Sequence, residues 1–306
     1  MSKNQFPFAD DSIFFNVFSY LGLPLSRDFS SDQVDAVVMG IPYDLGTSGR
    51  AGARNGPNGI RQASANLRWE SQRWPWDFAL SERLNIIDYG DVPFGYGDSE
   101  DMLKAVEEQA AQISGAGKTL VSFGGDHFVT LPLLRGHART HGKMALIHFD
   151  AHTDTYDDVE QYSHGCMFKR APKEGLIDPA HSVQVGIRTA FDRAGHEYQV
   201  IDAQQANEQS VAATVAAIRG RVGDHPAYLS FDIDCLDPAF APGTGTPVVG
   251  GMSTSKILGI LRGIADLNIV GFDVVEVSPA YDHAQVTALA GATLALEFLY
   301  MRASRR

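Results

Sequence analysis

Aspartate residues, accompanied at two places by histidine, stand at three places in the sequence, and each place directly follows an apolar run. The three places are the stretches GGDH at 124–127, DAHTD at 150–154 and DID at 232–234. Carboxylates and imidazoles bind divalent metal ions, whereas unpaired carboxylates held close together would repel one another. If the fold brings these stretches together, they form a metal site. The candidate ligands are His127, Asp150, His152, Asp154, Asp232 and Asp234.

The spacing within two of these stretches supports a shared site. Alternate side chains of an extended segment point to the same face, so Asp150, His152 and Asp154 are in phase, as are Asp232 and Asp234. These ligands are too many for one ion, which predicts two divalent cations. Oxygen ligands outnumber imidazoles, which favours Mn²⁺ over a structural Zn²⁺. The alternative for each stretch alone is hydrogen-bonded scaffolding at a strand end.

Three residues beside the candidate ligands have other expected roles. His148 lies one step deeper in its strand than Asp150, so we expect it to be buried and to support the ligands. Cys235 falls on the opposite face from Asp234 and is expected to be a small buried residue. Asp126 could cap a helix that starts after GGDH.

The elements that must position these residues form a regular alternation. Eight apolar, β-branched runs predict strands at 35–41, 84–88, 118–123, 144–149, 182–187, 198–202, 227–231 and 268–275. Helical patterns lie between them at 57–67, 99–115, 128–141, 207–220, 253–265 and 283–303. Because several strands are apolar on both faces, we predict an α/β fold: one doubly wound domain with a central, mainly parallel sheet of about eight strands flanked by helices.

The site is expected at one edge of this sheet, because ligands of open α/β sheets bind beyond the carboxyl ends of the strands. The single predicted domain comprises residues 1–306. Within it, residues 1–34 form an N-terminal extension that we expect to pack on the domain or at a subunit interface.

The composition limits the classes of partner. A formal net charge of −12 over 306 residues argues against nucleic acid or an anionic membrane as the main partner. The N-terminal residues have no apolar signal-peptide core, and the two cysteines suggest no disulfide framework, so we expect a cytoplasmic protein. The apolar segment TALAGATLALEFLYM at 287–301 is short and contains Glu297, which predicts a buried helix.

The three metal-site motifs, in this order and context, resemble those of the ureohydrolase family, which includes arginases, agmatinases and guanidinobutyrases. Stretches such as TSGRAGARNGPNGIRQAS at 47–64 and DVVEVSPAYD at 273–282 are especially similar to bacterial agmatinases. The resemblance implies an arginase-like fold, a homotrimer or homohexamer, and two Mn²⁺ ions per subunit. One ion would be bound by His127, Asp150, Asp154 and Asp232, and the other by Asp150, His152, Asp232 and Asp234, so that Asp150 and Asp232 bridge.

The family resemblance also implies a reaction, the hydrolysis of a guanidinium group to urea and an amine. A metal-bridging hydroxide would attack the guanidinium carbon, and a proton delivered to the departing amine would complete the cleavage. His164 in SHGCMF matches the family's proton-shuttle histidine, and Glu276 would grip the guanidinium. The alternatives are a surface-loop histidine and a strand-end salt bridge.

The sequence predicts less directly which residues bind the distal end of the substrate. The residues with which arginases bind an α-amino acid head are missing: the loop reads TYDDVEQYSHG, and Thr189 follows Gly-Ile-Arg. Asp157, Asp158 and Glu160 lie nearby and would suit a second cation, although a solvated acidic loop would have the same composition. We therefore expect agmatine as substrate, with putrescine and urea as products.

Other functions remain open at this stage. The alternatives are a guanidinobutyrase or another ureohydrolase, a catalytically silent metal-binding homologue, and, more distantly, a deacetylase on the same fold. The loop TSGRAGARNGP at 47–57 is expected either to wall the active site or to contact another subunit.

Overall fold

The computed structural model describes residues 18–157 and 161–306. Its centre is an eight-stranded sheet in which all neighbouring strands are parallel, as the sequence predicted. The strands are β1 Ala36–Gly40, β2 Ile86–Asp91, β3 Thr119–Phe123, β4 Ala145–Phe149, β5 Val183–Ile187, β6 Gln199–Asp202, β7 Ala227–Asp232 and β8 Ile269–Val275. Their order across the sheet is β2-β1-β3-β8-β7-β4-β5-β6.

Helices cover both faces of the sheet. They are α1 Gly56–Ser64, α2 Leu80–Arg83, α3 Ser99–Gly115, α4 Thr130–His141, α5 Met167–Lys173, α6 Ala203–Glu208, α7 Val211–Val222, α8 Thr254–Gly263 and α9 Val286–Ser304. Alternate residues of one strand enter different cores: Val38 packs in the core with α1 and α7–α9, whereas Val37 and Met39 pack in the core with α3–α5. Burial on both faces explains why successive positions of the strands are mostly apolar.

Most predicted helices are present, and one prediction was wrong. The expected single helix at 207–220 is two helices, because α6 ends at Glu208 and the Ser210 side chain caps α7 by accepting from the Ala213 N–H at 3.1 Å. The short helices α2 and α5 were not predicted. Ser253 caps α8 as its position suggested, accepting from the Lys256 N–H at 3.2 Å.

The apolar C-terminal segment forms the buried helix that its sequence predicted. α9 is long and apolar enough to span a membrane by composition, but 78% of its most apolar window is buried inside the protein. Glu297, on this helix, is fully buried and accepts two hydrogen bonds from Arg262, at 2.8 and 3.0 Å, and one from Trp76 at 2.8 Å. The buried carboxylate is therefore fully paired.

The described part of the N-terminal extension packs on the domain. Tyr20 is fully buried; its N–H donates to Asp88 at 2.7 Å and its hydroxyl donates to the Ala292 carbonyl of α9 at 2.8 Å. Asp88 is held in turn by a bidentate bond from the buried Arg61. Residues 1–17, the rest of the expected extension, lie outside the described residues.

The strand order decides where the candidate ligands meet. β3, β8, β7 and β4 are neighbours at the centre of the sheet, and the predicted metal-site motifs and Glu276 follow these four strands. Because the strands are parallel, their carboxyl ends open on the same edge. The residues predicted from three distant stretches therefore share one site.

Candidate metal centre

The turn after β3 is built around close backbone packing. A Cβ atom on Gly125 would lie 1.6 Å from the Tyr43 carbonyl oxygen, so only glycine fits here. Asp126 caps the short helical turn that follows, accepting from the Phe128 N–H at 3.1 Å, as expected from the sequence. This turn places His127 with its N–H donating to Glu276 at 2.9 Å.

The segments after β4 and β7 are not extended, so the predicted alternation of side chains does not explain how they converge. β4 ends at Phe149, the chain then bends, and Asp154 adopts a left-handed conformation with φ of +51°. Asp234 lies in a 3-10 turn in which its N–H donates to Asp232 at 2.8 Å. Turns, rather than strand parity, aim the carboxylates inward.

The candidate ligands converge in two groups that share Asp150. In the first group, His127 Nδ1 lies 3.1 Å from Asp150 Oδ2, 3.0 Å from Asp154 Oδ2 and 3.3 Å from Asp232 Oδ2. In the second group, His152 Nδ1 lies 3.2 Å from Asp150 Oδ1 and 3.1 Å from Asp234 Oδ2. All of these side chains are buried except that of His152, which is 19% exposed.

The hydrogen bonds behind His127 determine which of its ring nitrogens faces the carboxylates with a lone pair. Ser230 Oγ donates its only proton to Asp273 at 2.7 Å, so it must accept from His127 Nε2, which lies 2.8 Å away. Asp273 is held further by the hydroxyls of Tyr228 and Thr130, each at 2.9 Å. The neutral His127 ring therefore presents its Nδ1 lone pair to three carboxylates.

A lone pair that faces three carboxylate oxygens needs a positive charge between them. Without one, burial and the neighbouring Asp234 and Asp150 raise the pKa of Asp232 well above its usual range. Burial lowers the pKa of His127, but its bonds to three carboxylates outweigh that effect and raise it well above the ordinary value. A proton or a metal cation can supply the missing charge, and the four carboxylate and two imidazole ligands of the cluster suit metal cations.

His148 is close enough to the first group to be a ligand, but its hydrogen bonds assign it another role. Its Nε2 lies 2.8 Å from Asp150 Oδ2, and its Nδ1 lies 2.9 Å from the Gln184 amide nitrogen, which also donates to the Thr153 carbonyl. Nδ1 therefore accepts, and Nε2 carries the proton that it donates to Asp150. This arrangement agrees with the supporting role expected from the sequence.

His164 and Glu276 form a bonded pair at the edge of the metal cluster. His164 Nδ1 lies 2.8 Å from Glu276 Oε1, and Ser48 contacts the opposite nitrogen of the ring through its hydroxyl, at 2.8 Å, and its N–H, at 3.1 Å. Burial lowers the pKa of His164, but Glu276 and the more distant carboxylates of Asp154 and Asp126 together raise it to about 9.

Glu276 has a strained backbone conformation, and only one of its two carboxylate oxygens forms hydrogen bonds. It has φ of +61°, an unfavourable conformation for a residue with a side chain. Its Oε1 atom accepts from the N–H of His127 and pairs with His164, whereas Oε2 is buried and has no hydrogen-bond partner among residues 18–157 and 161–306. A buried, unpaired carboxylate oxygen is a ready acceptor for a charged ligand.

One cavity joins the metal cluster to the His164 side chain. It has a volume of about 310 Å³, and its lining residues are Ser48, His152, Asp154, Tyr156, Asp157, Ser163, His164, Gly165, Thr189, Asp232 and Thr246. Part of the loop at 47–57 thus walls this cavity, which is one of the two roles expected for it. In the same loop, Arg50 lies over the Tyr281 ring at 4.7 Å and Arg54 pairs with Asp44.

The predicted distal residues are only partly described. Asp157 reaches the rim of the cavity, but its side chain is 92% exposed and forms an ion pair with Lys169. Asp158 and Glu160 lie outside the described residues. The structure also reveals supporting residues that the sequence reasoning missed, notably Ser230, Asp273 and Gln184. Each of them is a polar residue inside a mainly apolar strand, and that pattern could have identified them from the sequence.

Comparisons with known proteins agree with this architecture. The family model described as "Arginase family" matches residues 34–301. An agmatinase from Photorhabdus laumondii is 57% identical over 297 residues, which cover 97% of this chain and 96% of that protein.

Solved structures show the same similarity. A hypothetical agmatinase from Burkholderia thailandensis has a TM-score of 0.92 and 46% identity, with 96% of this chain and 93% of that chain covered. The proclavaminate amidino hydrolase from Streptomyces clavuligerus has a TM-score of 0.91 and 37% identity, with 97% and 100% covered. Similarity over almost the whole length extends to every element that builds the site.

Proposed function

The chain belongs to the arginase family, and we propose that it hydrolyses the guanidinium group of agmatine to putrescine and urea, with two Mn²⁺ ions as cofactors. The observation that carries this proposal is the convergence of two ligand groups beside a cavity that is also lined by His164, the partner of Glu276. The high identity with an agmatinase supports the choice of substrate.

The proposed ligands of the two ions are those of the two groups, with Asp232 added to the second group as a bridge, as the family resemblance implies. His127, Asp150, Asp154 and Asp232 would hold one ion, and Asp150, His152, Asp232 and Asp234 would hold the other. The excess of carboxylate oxygens favours Mn²⁺. Bound together, such ions would lower the pKa of a water molecule so that it can attack the guanidinium carbon at neutral pH.

The protein side chains bind the guanidinium and move the proton. Glu276 Oε2, buried and unpaired, would accept an N–H of the guanidinium, while the bonds from His127 and His164 to Oε1 hold the carboxylate in place. The surrounding carboxylates raise the pKa of His164 to about 9, so the ring can take up a second proton at Nε2, in place of the Ser48 N–H, and deliver it to the departing amine. Loss of that proton above pH 9 should lower the rate.

The acidic residues beyond the metal cluster are proposed to attract the doubly charged substrate. Asp157 lies at the cavity rim, and Asp158 and Glu160 follow it in the sequence. Negative charge at a cavity mouth raises the local concentration of a cationic ligand. We further propose that the protein is cytoplasmic and forms homotrimers or homohexamers.

A substrate panel tests the proposal. Purified protein loaded with Mn²⁺ should release urea from agmatine much faster than from arginine or 4-guanidinobutyrate, and metal analysis of the same sample should give two ions per subunit. Dominant turnover of arginine or 4-guanidinobutyrate would refute the assignment. Replacing His152 with Ala should nearly abolish turnover, because one ion loses its only imidazole ligand; an unchanged rate would contradict a mechanism with two metals.

A further inference from the structure

We propose that the Tyr156 hydroxyl oxygen accepts a hydrogen bond from the distal ammonium of the substrate, and that Thr189 positions it as an acceptor. The inference rests on the proposed function, because it assumes that the guanidinium end of the substrate lies at the metal cluster. The Tyr156 hydroxyl would then be the group that distinguishes a distal amine from a distal carboxylate.

The hydrogen bonds of the two hydroxyls determine the direction in which each proton points. Thr189 Oγ1 donates to the Ala151 carbonyl at 3.1 Å, which uses its only proton. The Tyr156 hydroxyl lies 3.0 Å from Thr189 Oγ1, so Tyr156 must be the donor of that bond. With its proton committed to Thr189, the Tyr156 oxygen can offer the cavity only lone pairs.

The position of this oxygen is held from several sides. The Tyr156 N–H donates to the Gly165 carbonyl at 3.0 Å, and a Cβ on Gly165 would lie 3.2 Å from the Tyr156 ring. Ala151, whose carbonyl accepts the hydrogen bond from Thr189, lies between the proposed metal ligands Asp150 and His152 in the chain. Hydrogen bonds through Thr189 therefore connect Tyr156 to the segment that carries the metal cluster.

This arrangement favours an ammonium over a carboxylate. An ammonium brings donors and needs acceptors, whereas a carboxylate needs donors or a cation. No lysine or arginine lines the cavity in the part of the chain that the structure describes. The Thr246 hydroxyl also has a committed proton, since it donates to Asp234 at 3.2 Å. At Tyr156 and Thr246 a distal carboxylate would find no donor to replace the hydrogen bonds that it makes with water.

Asp157 is a weaker candidate for the direct contact. Its carboxylate already pairs with Lys169, and its side chain is 92% exposed, so water and salt would screen an interaction with the substrate. Tyr156, in contrast, is partly buried within the wall of the cavity. We therefore assign the direct contact to Tyr156 and only the long-range attraction to Asp157.

The test compares two substrates that differ only in the distal amine, agmatine and butylguanidine. The Tyr156→Phe enzyme keeps the aromatic ring and therefore keeps the wall between this cavity and the neighbouring one that Tyr156 also lines. We expect KM for agmatine to rise about tenfold to a hundredfold, the range for a hydrogen bond to a charged group. KM for butylguanidine and kcat for both substrates should change little.

A matched pair at the neighbouring position tests the role of the committed proton. Thr189→Ser keeps the hydroxyl and should behave like the wild type. Thr189→Val has nearly the same shape but releases the Tyr156 proton, so it should raise KM for agmatine, leave butylguanidine unchanged and reduce discrimination against 4-guanidinobutyrate. Circular dichroism of each variant would verify that it folds.

The possible failures are distinguishable. A wild-type enzyme that does not hydrolyse agmatine would refute the proposed function. An active wild type would instead refute only this inference if Tyr156→Phe and Thr189→Val left KM for agmatine unchanged, or altered both substrates equally.

Discussion

Removal of the Ser230 hydroxyl should weaken metal binding without removing any proposed metal ligand. Ser230 is the link between His127, whose Nε2–H it accepts at 2.8 Å, and Asp273, to which it donates at 2.7 Å. In Ser230→Ala the His127 ring loses the partner that keeps its proton on Nε2 and its Nδ1 lone pair towards the carboxylates. Asp273 keeps the two hydrogen bonds from Tyr228 and Thr130, so the core should remain folded.

The expected loss follows from the role of such supporting partners. Removing the group that orients a metal-binding histidine costs roughly ten- to a hundredfold in metal affinity, or about 1.4–2.7 kcal/mol. The hydrogen bond to Asp273 involves a charged acceptor, so its loss should also lower the unfolding free energy of the metal-free protein by about 1.5–3 kcal/mol. Both the metal affinity and the unfolding free energy of the metal-free protein should therefore fall.

Ser122 provides a matched control. It is fully buried on the neighbouring strand β3, opposite Asp273 in the strand register, but its hydroxyl has no hydrogen-bond partner among the described residues. Ser122→Ala should therefore leave both quantities nearly unchanged. Titration of each metal-free protein with Mn²⁺ in a calorimeter gives the affinities, and urea denaturation gives the stabilities. Equal Mn²⁺ affinities for the two variants would refute the role assigned to Ser230.

Two further predictions concern stability away from the metal centre. Glu297→Leu should destabilise the protein by about 2–4 kcal/mol in urea denaturation, because it leaves the partly buried Arg262 unpaired. Glu108→Gln, at an exposed ion pair, should change the stability far less, and equal losses in the two variants would contradict the importance of burial. Burial lowers the pKa of His137 to about 4, so the unfolded chain takes up a proton near pH 6.5 that the folded protein does not, and stability falls as the pH drops from about 6.5 towards 4. Between pH 7 and pH 5 the wild type should lose about 2 kcal/mol more than His137→Gln, and parallel pH dependences of the two proteins would show that His137 is not the cause.

The strands were predictable from the sequence because burial on both faces requires apolar residues at successive positions. The run VVM in β1 shows this directly, because its residues alternate between two cores and all three are apolar. Helix boundaries were harder to predict from the sequence. The break between α6 and α7 depends on a single serine cap, and α2 has only four residues, too few for a helical period to be visible.

The family of the protein was also predictable, because three motifs with unusual ligand composition occur in a fixed order. The side-chain geometry within the motifs was not. Asp154 and Glu276 both adopt left-handed backbone conformations, which are uncommon for residues other than glycine. Packing in the finished fold holds them there, since Glu276 Oε1 is bonded to His127 and His164 from distant segments.

The sequence by itself determined the types of ligand, their positions after apolar strands and hence the chemistry that they can perform. Only the tertiary structure decided that β3, β8, β7 and β4 stand side by side, because hydrophobic periodicity shows that a strand is buried but not which strand is its neighbour. The adjacency of β3, β8 and β7 brings Ser230 between His127 and Asp273, and the pairing of β4 with β5 brings Thr189 to Tyr156. Those contacts join residues far apart in the chain, and they determine where the protons lie and therefore what the site can accept.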